Sequence, residues 1–276
     1  MAQTTARDAQ HDQGFGENAH VHIAIVGAGF SGIGMAIRLK QRGYRDFVVL
    51  ERASDLGGTW RDNTYPGCAC DVPAHLYSFS FALNPDWSRF YAPQPEIWEY
   101  LRHCAEHYGI QPNLRWNCEV RGADWDETAS CWRLATSQGP LAADILISGN
   151  GPLSEPSMPK IPGLERFTGT IFHSSRWDHD HDLSGERVAV IGTGASSIQF
   201  VPQIQPKVSQ LTLFQRTPPW IMARNDHPIA GWRKALFRAL PATQHAARGL
   251  IYAQREIGAL ALVYRTNMMR GVEQQS

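Results

Sequence analysis

The chain has 276 residues, enough for one large domain or two modest ones. Lysine plus arginine and aspartate plus glutamate both number 26, and this zero net charge favours neither nucleic acid nor an anionic membrane as a partner. No apolar run is long enough to span a bilayer, so we expect a cytoplasmic protein without a membrane segment. The five cysteines lack the paired spacing of a zinc site or disulfide framework, so we expect reduced thiols and no metal. Cys68 and Cys70, one residue apart, would form a strained disulfide and are interpreted as packing residues.

The stretch from Val21 to Glu51 contains a complete dinucleotide-binding pattern. The residues before it, 1–20, are polar and are predicted to form a disordered tail. An apolar strand leads into Gly27-Ala-Gly29-Phe-Ser-Gly32, an amphipathic helix follows, and a second strand ends at Glu51, about 20 residues further on. The glycines suit a tight turn, close approach of a pyrophosphate and close helix packing, in that order. The helix N-terminus attracts phosphates, and Glu51 is placed to bind a ribose.

The segment 52–80 is predicted to be a long functional loop, because it is rich in Gly, Pro, Asp and aromatic residues and has no helical period. Within it, Gly57-Gly58 would let the backbone approach a flat ring system. Asp71, taken alone, is typical of a turn-forming acid.

The middle of the chain is predicted to form one helix followed by strands. The helix is 93–108, and the strands are 114–120, 122–125, 131–135 and 142–148. Four prolines within residues 152–162 then indicate a domain crossing, since proline continues neither a sheet nor a helix.

A second unit of the same kind begins at the strand Arg187–Ile191. The turn Gly192-Thr-Gly194-Ala-Ser-Ser197 has serine where the third glycine would be, and a helix (198–204) and a strand (211–215) follow. Arg216 stands where the first unit has its acid, and a guanidinium there would bind a 2′-phosphate bidentately. We therefore predict NADP rather than NAD for this unit. The alternative for Arg216 is a surface charge at a strand end.

Two such units predict an α/β fold with two Rossmann-like dinucleotide-binding domains, three-layered, and a C-terminal helical segment. Residues 21–155 would form the first part of an FAD-binding domain. Residues 156–276 would form an NADP-binding domain with a helical insertion, incomplete at its C-terminus, with helices at 231–240 and 243–268. The simplest pairing is a flavin dinucleotide on the first unit and a nicotinamide dinucleotide on the second.

Between the two units lies a spaced pattern formed by Phe167, Gly169, His173, Trp177 and Asp178. Taken alone, His173 is interpreted as a structural residue that caps or orients this segment. With these residues the chain resembles the class B flavoprotein monooxygenases, and within them the Baeyer–Villiger monooxygenases, whose fingerprint is F-x-G-x-x-x-H-x-x-x-W-[P/D]. The related flavin-containing monooxygenases usually have Tyr or Phe at the position of Trp177.

Three further segments carry the resemblance. G-G-T-W at 57–60 and Y-P-G-x-x-C-D at 65–71 are similar to the family's loop over the flavin, and Q-R-T-P-P-W at 215–220 resembles the segment with the NADPH-phosphate arginine. The resemblance implies that NADPH reduces FAD, that O₂ adds to give a C4a-peroxyflavin, and that this attacks a ketone to give an ester or lactone. It also implies that Asp71 orients an active-site arginine, and that His173 links domain movement to catalysis.

The predicted site therefore has two kinds of residue. The catalytic candidates are Asp71 and His173. The cofactor-binding candidates are Gly27, Gly29, Phe30, Ser31, Gly32, Glu51, Arg52, Gly58, Thr59, Trp60, Asp71, Tyr77, Gly192, Thr193, Gly194, Ala195, Ser196, Ser197, Arg216 and Thr217.

Family members are considerably longer, and the resemblance puts the active-site arginine beyond the region matched here. We therefore expect a truncated member, or a short form completed by another chain. Two other functions stay open: sulfur or nitrogen oxygenation, against which Trp177 argues, and a non-catalytic nucleotide-binding remnant. A disulfide reductase fits poorly, because no C-x₄-C follows the first unit. The expected partners are O₂ and a small ketone or related organic substrate, of no further identity, and the sequence fixes no oligomeric state.

Overall fold

The computed structural model describes residues 14–218 and 224–264, except the side chains of 261–264. It separates into two compact units. Unit 1 contains the chain up to Asp62 and Trp98–Phe167, and unit 2 contains Asn63–Ile97 and the chain from Thr168 onward. The segment 63–97 therefore packs with the second glycine turn, although it follows the first one in the sequence. The assignment of FAD to residues 21–155 and NADP to residues 156–276 stays a prediction.

Unit 1 is built on a six-stranded sheet with the strand order β3-β2-β1-β6-β5-β4. Its strands are β1 (His20–Val26), β2 (Phe47–Leu50), β3 (Leu114–Arg115), β4 (Val120–Asp126), β5 (Cys131–Thr136) and β6 (Gly139–Ser148). The first four in that order are parallel, whereas β6, β5 and β4 form an antiparallel meander. The sheet confirms the predicted α/β class.

Strand β1 lies inside the parallel part of this sheet, with Ile25 opposite Val49 on one side and Ile147 on the other. Ile25 is fully buried, as expected for an apolar run covered on both faces. Helix α1 (Phe30–Gln41) follows β1 directly and buries Ile33 and Ile37 with the rest of its apolar face. Two more helices follow along the chain, the short α2 (Thr59–Asp62) in unit 1 and α3 (Gln94–His107), whose first residues belong to the segment 63–97 and whose remainder belongs to unit 1.

Two predictions for this region need correction. The predicted strand 114–120 stops at Arg115, because Asn117 adopts a positive φ of 53° and turns the chain. The predicted tail is too long, because residues 14–20 are part of the fold. The Phe15 N–H donates to the Gln138 carbonyl at 2.6 Å and its ring packs against the core. Residues 1–13 lie outside the described part.

Unit 2 contains the parallel pair β7 (Arg187–Ile191) and β8 (Gln210–Phe214), joined by helix α4 (Ala195–Ile204). Helix α4 begins three residues earlier than predicted, directly after the glycine turn. Helices α5 (Gly231–Ala239) and α6 (Pro241–Tyr264) confirm the two predicted C-terminal helices, although the predicted extension to 268 lies outside the described residues. None of the helices in the described part has the length and apolarity needed to cross a membrane.

Candidate functional site

In the first glycine turn, from Gly27 to Gly32, the backbone packs closely against itself. Gly27 has a φ of +94°, a region that favours glycine. A Cβ added to Gly32 would lie 1.8 Å from the Gly27 carbonyl oxygen, so only glycine fits there. Helix α1 begins at Phe30 after Gly29, and no described side chain caps its N-terminus. The exposed Ser31 lies in its first turn, and the backbone N–H groups of a helix's first turn have no partner within the helix and can donate to an anion.

A second glycine loop lies against this turn. The Gly57 N–H donates to the Ala28 carbonyl at 2.9 Å. A Cβ built on Gly58 would approach the Gly29 Cα to 3.2 Å, so two stretches of backbone without side chains face each other. Gly57 and Gly58 both have positive φ, at 121° and 53°. The loop leads into α2, where Thr59 is exposed and Trp60 is buried.

Glu51 lies at the end of β2 and is only 4% exposed. Its Oε2 accepts a hydrogen bond from the Ala28 N–H at 2.8 Å, inside the glycine turn. Its Oε1 accepts from the Ala53 N–H at 3.0 Å and from the Arg61 Nη1 at 3.1 Å. The acid found by its spacing thus also fastens the turn, and Arg61, which the sequence analysis missed, is its charged partner.

Arg52, another predicted cofactor-binding residue, contacts the segment that follows β6. It forms an ion pair with Glu155 and donates to the Ser154 carbonyl at 2.7 Å. These contacts fasten the segment after β6 to the segment after β2. Its role toward a cofactor stays a prediction.

The second glycine turn is more open than the first. Gly192 has a φ of +107°, and a Cβ built on Gly192 or Gly194 would meet no heavy atom of the described residues within 4 Å, apart from its chain neighbours. Helix α4 begins at Ala195 without a side-chain cap from the described residues, so its first amides are available to an anion. Ser197, in place of the third glycine, is buried. Thr193, next to Gly192, is half-buried.

Arg216 follows β8 and is exposed, as is its neighbour Thr217. Within the described residues, Arg216 has neither an ion pair nor a hydrogen-bond partner. A guanidinium at a strand end that has no partner among the described residues is available to an anionic ligand. Trp220, at the end of the similar segment, lies outside the described residues.

Asp71 is exposed in a loop of unit 2 that is held on helix α4. The Gln199 side chain accepts from the Ala69 N–H at 2.9 Å and donates to the Ala69 carbonyl at 3.1 Å. The Tyr65 hydroxyl is hydrogen-bonded to Ser196, in the predicted coenzyme turn. The Asp71 loop and the second glycine turn thus both contact helix α4, a proximity that the sequence did not reveal because about 120 residues separate them.

Three other residues of unit 2 that the sequence analysis named have capping, ring or backbone contacts. The His173 Nδ1 accepts from the Ser175 N–H at 3.1 Å and caps a 3₁₀ turn, as its interpretation from the residues alone suggested. The Trp177 ring lies 5.1 Å from the Phe200 ring on α4. Tyr77 is half-buried, and its N–H donates to the Pro73 carbonyl at 2.9 Å.

All five cysteines are buried and free. Burial raises the pKa of the Cys70 thiol to about 11 and also raises the pKa of Cys68. Thiols of this kind are poor nucleophiles at neutral pH, in keeping with a packing role. The described residues contain no group of three or more histidine, cysteine or acidic side chains that could hold a metal ion.

A chain with two strand–turn–helix–strand units, each with a glycine turn after its first strand, has the Rossmann dinucleotide fold twice. It belongs to the pyridine nucleotide-disulphide oxidoreductase family, whose model matches residues 24–247. It is 54% identical over 266 residues to a protein of Streptomyces coelicolor named Baeyer-Villiger monooxygenase, covering 96% of this chain. The resemblance predicted from the motifs is thereby confirmed.

Two solved structures are similar to this chain over most of its length. A steroid monooxygenase bound to NADP superimposes with a TM-score of 0.74 at 37% identity over 82% of this chain. The complex of OTEMO with FAD and NADP has a TM-score of 0.75 at 32% identity, also over 82% of this chain. The chain spans about half the length of its relatives, 51% of the Streptomyces protein and 44% of each solved chain.

Proposed function

We propose that the chain carries the nucleotide sites of an FAD- and NADPH-dependent monooxygenase that inserts one oxygen atom of O₂ into a ketone to give an ester or lactone. The observation that carries this proposal is a pair of glycine turns whose second strands end in opposite charges, Glu51 and Arg216. It is supported by the likeness to a protein named Baeyer-Villiger monooxygenase over 96% of the chain.

The residues of unit 1 fit a flavin dinucleotide. The bare N-terminus of α1 would receive the pyrophosphate, Gly29 and Gly58 leave the backbone open to close approach, and Glu51 would accept hydrogen bonds from the ribose. Bound there, FAD would supply hydride acceptance from NADPH and activation of O₂. The part of this chain is to hold and orient the nucleotide.

The residues of unit 2 fit NADP. The open turn from Gly192 to Ser197 would receive the pyrophosphate, and Arg216 would pair with the 2′-phosphate. Asp71 would orient an arginine that stabilises developing negative charge. His173, whose ring caps a turn, would position its segment rather than transfer a proton.

The reaction is tested by supplying the chain with FAD, NADPH and a cyclic ketone under ¹⁸O₂, while ester and peroxide are followed together. One labelled oxygen in the ester would establish insertion by this chain. NADPH-dependent peroxide without ester is expected if the active-site arginine lies outside this sequence. Failure to bind FAD and to oxidise NADPH would contradict the proposal, and sulfoxide without ester from a ketone-and-sulfide panel would favour sulfur oxygenation.

Replacing Arg216 by alanine is expected to weaken binding of NADPH much more than binding of NADH. A hydrogen bond to a charged group contributes about 1.5–3 kcal/mol, which corresponds to a roughly 10- to 150-fold rise in the Kd for NADPH. Isothermal titration with both coenzymes measures the difference. Arg187→Ala is the matched control, since Arg187 is an exposed arginine at the start of β7. An equal loss for both coenzymes would mean that Arg216 supports only the fold.

A further inference from the structure

The side chain of Arg61 on helix α2 forms four hydrogen bonds within the described part of unit 1. Its Nη1 donates to Glu51 Oε1 at 3.1 Å and also to the Asp55 carbonyl. Its Nε and Nη2 donate to the two carboxylate oxygens of Asp62 at 2.8 and 3.1 Å. The side chains of Arg61 and Glu51 are only 14% and 6% exposed. The pair is therefore held largely out of solvent.

The charge of Glu51 requires such a partner. A buried carboxylate is stable only when it is paired and hydrogen-bonded. Burial alone would lower the pKa of Arg61, but its bonds to Asp62 and Glu51 raise the pKa above the ordinary value, and the guanidinium stays charged. Lysine would not replace it fully, since a single ammonium lacks the planar fork that meets both acids.

The same contacts fix the direction of the carboxylate. A carboxylate has about four acceptor positions, and the described contacts of Glu51 occupy three of them: the N–H groups of Ala28 and Ala53 and the Arg61 guanidinium. Asp62 holds the plane of the guanidinium. An acceptor position on Glu51 is thus left for a ligand, with its direction set from the glycine turn on one side and from Arg61 on the other.

We propose that Arg61 is a positioning residue of the dinucleotide site in unit 1, which orients Glu51 toward the ribose hydroxyls of the bound nucleotide. This inference rests on the proposed function of unit 1. It adds a specific role, because Arg61 would determine selectivity for the ribose rather than affinity for the nucleotide as a whole. A residue that served only the fold would affect ligands with and without the hydroxyl equally.

The test compares ADP with 2′-deoxy-ADP as competitors that displace FAD, followed by flavin fluorescence anisotropy. Displacement of FAD confines the measurement to the flavin site. We expect the parent protein to prefer ADP at least about 10-fold, the effect of one hydrogen bond to a charged group. In Arg61→Gln the preference is expected to fall to about 2-fold.

Arg102→Gln is the matched control. Arg102 also pairs with an acid of this segment, Asp55, and lies 3.9 Å over the Trp98 ring, but it does not contact Glu51 in the described structure. This variant is expected to keep the full preference for ADP. Arg61→Lys serves as a second variant if Arg61→Gln does not fold, and its preference is expected to fall at least 3-fold.

The possible outcomes distinguish the role of Arg61 from the proposal that unit 1 binds FAD through Glu51. An undiminished preference for ADP in a folded Arg61→Gln or Arg61→Lys protein would overturn the role of Arg61 and leave the flavin site standing. A parent protein that binds no FAD, or that does not distinguish ADP from its deoxy analogue, would overturn the ribose contact of Glu51 and the inference with it. Loss of the preference in the Arg61 variants together with its retention in Arg102→Gln would establish the proposal.

Discussion

Replacing Gly32 by alanine is expected to destabilise unit 1 by about 3 kcal/mol or more. The new Cβ would lie 1.8 Å from the Gly27 carbonyl oxygen and 3.0 Å from its carbonyl carbon. Both are backbone atoms that cannot rotate away, so β1 and α1 must separate. Urea unfolding, together with hydrogen exchange of the β1–α1 peptides, measures the loss.

Two other glycines serve as controls for this change. A Cβ added by Gly122→Ala on β4 would meet no atom of the described residues within 4 Å beyond its chain neighbours, and the change should leave the free energy of unfolding nearly unchanged. At Gly29 the added Cβ would lie 3.8 Å from the Gly58 Cα, an ordinary contact, so Gly29→Ala should fold. If Gly32→Ala unfolded at the same urea concentration as the parent, that result would contradict the close contact between the start of α1 and the Gly27 carbonyl.

Lowering the pH from 7 to 4 is expected to destabilise unit 2 by roughly 3 kcal/mol through His75 alone. His75 is 2% exposed, and within the described residues its Nε2 has no hydrogen-bond partner. Burial, and secondarily the charge of Arg233, lowers its pKa from 6.5 to about 4. Between pH 6.5 and pH 4, His75 therefore binds a proton in the unfolded chain but stays neutral in the folded chain. The stabilisation is complete above pH 6.5 and disappears as the pH falls to about 4.

Urea titrations at several pH values compare the parent with His75→Gln, which cannot titrate in this range. The variant should lose less stability between pH 7 and pH 4 than the parent, by roughly the same 3 kcal/mol. His245→Gln is the control, because His245 is exposed on α6, next to Gln244, whose Nε2 lies 3.3 Å from His75 Nδ1. A parallel pH dependence in parent and His75→Gln would show that another group causes the acid sensitivity.

Local sequence patterns were sufficient to predict strands, turns and helices wherever the residues that form the pattern follow one another in the chain. The run Ile23–Val26, the glycine turn and the apolar face of α1 specify a strand, a turn and a helix by themselves, and the structure contains each of them. The same holds for β7, α4 and β8 around the turn from Gly192 to Ser197. The spacing of Glu51 and Arg216 also depends only on the length of one strand–helix–strand unit, so it could be read without a structure.

Contacts that depend on the course of a loop or on distant segments could not be predicted from local sequence patterns. Arg61 follows Glu51 by ten residues in a stretch without regular period. The loop between them includes Gly57 and Gly58 with positive φ, and in the folded chain the guanidinium lies next to the acid. Asn117 ended a predicted strand early for a related reason, since a single backbone conformation overrode the local pattern.

The sequence by itself determined two dinucleotide units, their order and the opposite charges at their ends, because strand, turn and helix propensities act within about 30 residues. Only the tertiary structure decided that the Asp71 loop packs on α4, that Phe15 joins the core, and that Arg61 holds Glu51. These depend on which segments share a compact unit. That choice is set by the burial of apolar surface and the pairing of buried charge across the whole chain.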